Sequence, residues 1–75
     1  MWEKIISIEI QDQAWEVNCG LLDAFQNLTF RVSSEEGRYV IYGKPLPGRS
    51  EWTKEKHDSV QMYALGYHAA LAKRP

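Results

Sequence analysis

Seventy-five residues, 44% of them hydrophobic and with a formal net charge of −1, describe one small domain, residues 1–75, of ordinary globular composition. A chain this short buries only roughly 60% of the surface it exposes when unfolded, so its core is thin and a deep catalytic pocket is hard to build. Its apolar runs fall far short of the ~20 residues that cross a bilayer, and its single cysteine excludes an internal disulfide and a CxxC metal or redox pair.

Charge is unevenly spread along the chain. Residues 1–36 carry seven acids (Glu3, Glu9, Asp12, Glu16, Asp23, Glu35, Glu36) against Lys4 and Arg31. Residues 37–75 carry seven bases (Arg38, Lys44, Arg49, Lys54, Lys56, Lys73, Arg74) against Glu51, Glu55 and Asp58. Such asymmetry marks a surface for a charged partner unless folding interleaves the two halves.

The start, MWEKIISIEI, has one lysine and an apolar run broken by Ser7 and Glu9. It does not read as a signal peptide, which points to the cytoplasm. Within it Ile6, Ile8 and Ile10 alternate with Ser7 and Glu9, the period-2 pattern of a strand. After Gln11–Gln13 the run AWEVNC alternates again, with Trp15, Val17 and Cys19 on one side. Two alternating runs across a short polar break predict a β-hairpin with Trp15 and a buried Cys19 thiol in the core. Gly20 is expected to end that strand, and Leu21, Leu22 and Phe25 predict a helical turn over 21–27.

Leu28, Phe30 and Val32 share one face of the next run, and Thr29 and Arg31 share the other. Ser33–Gly37 is polar, and Gly37 suits the positive φ of a hairpin closure. RYVIY resumes the strand pattern, with Tyr39 and Tyr42 on opposite faces, so the second hairpin is the clearer one. GKPLPGR is a loop, since its prolines lack a strand's donor. Ser50 is the expected N-cap of a helix over about 51–72, whose apolar stripe is Val60, Tyr63, Ala64, Tyr67, Ala70 and Leu71. Gly66 interrupts it and suggests close packing on the sheet. The sum is an α+β fold: a four-stranded antiparallel sheet of two hairpins, covered on one face by the C-terminal helix.

His57, Asp58 and Ser59 are adjacent in sequence, but helical neighbours project about 100° apart, so they cannot form a nucleophile–base–acid chain. His57 and His68 lie three turns and about 16 Å apart, too far to share a metal. No phosphate loop or nucleophile elbow is present. No catalytic residue, cofactor or metal ligand is assigned, and the chain reads as a non-catalytic module.

Two contact surfaces are candidates. Asp12, Glu16, Glu35 and Glu36 at hairpin ends form an acidic one, suited to lysines and arginines of a partner. Arg38, Tyr39, Lys44, Arg49, Trp52, Lys54 and Lys56 interleave bases and rings over 38–56; such residues dominate protein hot spots and also hold single-stranded nucleic acid. The segment YALGYHAAL resembles a short helical pattern of small bacteriophage and bacterial proteins. The leading expectation is a protein-binding module, a phage-encoded inhibitor of the anti-CRISPR or host-takeover type that occludes host nucleic-acid machinery. The alternative is a nucleic-acid-binding accessory protein using 38–56. A second apolar sheet face would also suit a homodimer.

Overall fold

The structure is a computed structural model and describes residues 1–48 and 51–74. Its elements run β1 (Glu3–Ile8), α1 (Gln11–Ala24), β2 (Leu28–Glu35), β3 (Arg38–Pro45) and α2 (Lys54–Ala72). The α+β class holds, but the sheet has three strands in the order β1-β3-β2, and the expected first hairpin is absent. β3 is antiparallel to both neighbours, so β1 and β2 run parallel with β3 between them. A parallel pair needs a crossover of a dozen or more residues, and the 14-residue α1 supplies it.

The segment expected as a second strand therefore lies within α1. Its buried residues are Ala14, Val17, Asn18 and Leu21, spaced three and four apart as one helical stripe. Alternation over AWEVNC placed Trp15 and Cys19 beside Val17; on a helix they turn outward, and both are exposed. Gly20, expected to stop a strand, lies inside the helix. A Cβ there would stand 2.8 Å from the Tyr67 ring, so this glycine is where α1 and α2 come close.

The hairpin of β2 and β3 appears as expected and is tighter. Glu35 pairs with Arg38, leaving the two-residue turn Glu36–Gly37 with φ of 51° and 79°. Positive φ at both positions is the geometry whose twist matches the strands. β1 pairs with β3 through a register shift between Lys4 and Ile6. The extra residue, Ile5, lets Ile5 and Ile6 both bury, as a bulge permits. Gln61 of α2 donates its amide N–H to the Ile5 carbonyl at 3.1 Å, giving this irregular backbone a partner.

Helix α2 begins later than expected. Ser50 lies outside the described residues, Glu51–Thr53 are not helical, and Thr53 is the N-cap, its hydroxyl accepting from the Lys56 N–H at 3.1 Å. Val60, Ala64 and Leu71 are buried and Tyr67 packs on the core, while Tyr63 and Ala70 of the expected stripe are exposed. One cluster joins Ile5, Ile8, Ile41 and Phe30 of the sheet to Val17 and Leu21 of α1 and Val60 of α2. Both helices thus cover the same sheet face. No helix among the described residues is long and apolar enough to cross a membrane.

Candidate binding face

With both helices on one side, the opposite sheet face is open, and the strand register states which residues it carries. Paired residues of antiparallel strands share a face. Since Ile41 and Phe30 point to the helices, Arg31, Tyr42 and Lys44 point away. Lys4, Tyr42 and Arg31 form one row across the three strands, and Lys44 and Thr29 belong to the next. Trp2, just before β1, lies on this face: the Arg31 guanidinium is 4.9 Å and the Lys44 ammonium 4.8 Å from its ring centroid. Both distances are within the range of cation–π attraction.

The Tyr42 hydroxyl donates to Glu35 Oε2 at 2.5 Å. That hydrogen bond first, then desolvation and the charge of Glu35, raises the Tyr42 pKa above its ordinary 10.0, while Arg31 pulls the other way. Beyond Val40, which is buried between Ser7 and Ser33, Arg38 closes the face. Its Nε donates to Ser7 Oγ at 2.7 Å and its Nη1 to Glu9 Oε1 at 2.9 Å. The result is an ordered, polar-aromatic surface with three cations at one end.

The acidic residues gather differently. The pairings Ile8 with Tyr39 and Glu35 with Arg38 bring the end of β1, and hence the start of α1, to the hairpin-turn end of the sheet. Asp12 in the first turn of α1 and Glu35 and Glu36 at the turn therefore share one end of the molecule. Glu16, a turn further along α1, accepts from Arg74 Nη1 at 3.2 Å. Two pairs of acids, Asp12 with Glu16 and Glu35 with Glu36, thus lie towards the same end of the sheet.

The basic and aromatic segment 38–56 does not stay together. Lys44 joins Trp2 and Arg31, and Arg38 sits at the other end of the face. Tyr39 and Trp52 are partly buried against the core, Trp52 edge-on to His57 with ring centroids 5.7 Å apart. Lys54 pairs with Asp58 at 3.0 Å, Lys56 lies in the first turn of α2, and Arg49 is outside the described residues. Arg31 was absent from the sequence-based set, although its alternation with Phe30 and Val32 already turned it outward.

Among the described residues no group of three histidine, cysteine or acidic side chains could hold a metal. A cleft of about 260 Å³ lies where Ser7–Ile10 meet Gln13 of α1 and His68 of α2. Among the described residues, Gln13 Oε1 and His68 Nδ1, which line it, and Asn18 Oδ1 are buried side-chain atoms without a hydrogen-bond partner, and Arg38 of the sheet face borders the same cleft. Compared with known protein families, curated proteins and solved structures, the chain matches none of them.

Proposed function

We propose that this protein is a small non-catalytic binding module that engages a protein partner through its open sheet face. One observation carries the reading. Trp2, Arg31, Tyr42 and Lys44 lie uncovered on one side of the sheet and are already held by cation–π contacts and the Tyr42–Glu35 hydrogen bond. Trp, Tyr and Arg dominate binding hot spots, and side chains fixed before binding lose less entropy on contact.

The acidic end supports a finer reading of the partner. Asp12, Glu35 and Glu36, with Glu16 nearby, suit a basic surface of the kind that holds nucleic acid, since complementary charge steers association and fixes register. On this reading the protein is a phage-encoded inhibitor, acting in the host cytoplasm, that covers such a surface on host nucleic-acid machinery. Small size and the acidic end support it.

A second reading, direct binding of single-stranded nucleic acid, is favoured by Lys4, Arg31 and Lys44 around two rings on one face. It is weaker, because two cations already lie against the Trp2 ring and the Tyr42 hydroxyl is engaged. A pull-down from bacterial lysate, with and without nuclease, separates the two. Tagged wild-type chain is compared with a Trp2→Ala/Tyr42→Ala variant. The expected result is one protein recovered near stoichiometry in both halves and lost with the variant. A broad mixture that nuclease removes selects the nucleic-acid reading; capture unaffected by the variant overturns the sheet face as the site.

A further inference from the structure

We infer that the outer face of α2 is a self-association surface on which a second copy of the chain docks its own α2, antiparallel, about a two-fold axis passing between Leu65 and Gly66. Met62 is 73% and Leu65 52% exposed, and Gly66 and Ala69 beside them are exposed too. From Ser59 to Ala72 the helix carries no lysine, arginine, aspartate or glutamate. A helix with one face on a core and the other in water normally places charge on the wet side. Here charge appears only at the ends, with Lys54, Glu55, Lys56 and Asp58 before the apolar stretch and Lys73 and Arg74 after it. At about 100° per residue Lys56 and Arg74 project away from this face, which leaves Glu55 and Asp58 with Lys54 at one end and Lys73 at the other.

That order is self-complementary when reversed. In an antiparallel pair the dyad sets Met62 against the second copy's Ala69, and Asp58 level with its Lys73. Leu65 lies beside its own copy across the axis, and Gly66 lets the two backbones approach. Each contact except those on the dyad occurs twice, as an isologous interface requires. A large side chain meets a small one at each Met62–Ala69 contact, the interdigitation by which helices pack. Lys73 is exposed and in no salt bridge among the described residues. Asp58, 3.0 Å from Lys54, keeps half its side chain exposed for a second cation. The Asp58–Lys73 span is about 22 Å of helix, a small seam, and an affinity in roughly the micromolar range is expected of it.

The surface lies on the helical side of the molecule, away from the open sheet face. A dimer built on it presents two sheet faces at once, which multiplies the hold on any repeated or dimeric partner. The inference stands on the helix alone and does not depend on what the sheet face binds.

Analytical ultracentrifugation of the full chain from about 1 to a few hundred micromolar, with reductant because Cys19 is exposed, tests it. The mass should rise from 8.7 kDa towards twice that value. Leu65→Lys, which sets like charges on the dyad, should weaken association at least tenfold while circular dichroism and Tm stay unchanged. Asp58→Lys and Lys73→Asp should each weaken it, and together restore it. A monomer at every concentration overturns the inference. So does a dimer indifferent to Leu65→Lys, or a double charge swap no better than the single ones.

Discussion

Gly20 and Gly66 show how far one residue's meaning depends on what stands opposite. Both interrupt helices, where glycine costs about 0.5–1 kcal/mol relative to alanine. The close approach that the sequence suggests for Gly66 belongs to Gly20. A Cβ at Gly66 meets nothing within 4 Å, whereas one at Gly20 meets the Tyr67 ring at 2.8 Å. Tyr67 cannot simply swing away, since it packs on the core and stacks with Tyr63 at 6.0 Å between centroids. The same substitution should therefore act in opposite directions. In dilute solution Gly66→Ala raises Tm by a few degrees, as a gain near 1 kcal/mol does in so small a domain. Gly20→Ala lowers it, because the displaced ring outweighs the gain in propensity. Thermal melts of the two variants decide this, and a rise in both would remove the helix–helix contact from the account.

Among the elements, α1 is the one that sequence periodicity misassigns, and the reason is local. Over AWEVNC the same letters satisfy both periods: Trp15, Val17 and Cys19 alternate, while Ala14, Val17, Asn18 and Leu21 follow the helix. The decision comes from outside the segment, in the sheet order. β3 occupies the place beside β1, which leaves the intervening chain to cross over as a helix. Its entry signal was also missing, for Ile10 is the N-cap and makes no side-chain hydrogen bond. Thr53, by contrast, caps α2 through Lys56 N–H. Ile10→Ser should add about 1 kcal/mol of stability by supplying the absent acceptor, and Thr53→Ala should remove about 0.5–2 kcal/mol. Urea unfolding midpoints with unchanged slopes would show both. A Thr53→Ala variant as stable as the parent would mean that the cap is energetically idle. The β2–β3 hairpin was legible as a hairpin from LTFRV and RYVIY, but its turn was not: Ser33–Gly37 reads as a polar loop, whereas the strands pair on to Glu35 and Arg38.

At the scale of the molecule, the candidate face was half legible. Alternation showed that Tyr39 and Tyr42 oppose each other and that Arg31 leaves the core side. Which tyrosine faces out, and that Trp2 closes on Arg31 and Lys44, depends on strand order and on the side both helices choose. The fold then separates stability from binding along a single strand. Ile41 is fully buried against both helices' side of the sheet, and its neighbour Tyr42 points to the open face. Ile41→Ala removes a core side chain from a domain with little stability to spare and should cost about 2–5 kcal/mol, lowering Tm by more than about 10 °C. Tyr42→Ala takes away a half-buried ring on the open face and one hydrogen bond, and should cost about 1 kcal/mol while abolishing most of the partner capture. Melting and pull-down on the same two variants give four readings. If Tyr42→Ala binds as the parent does and melts far below it, the open face is part of the scaffold, and recognition has to be sought on the helical side.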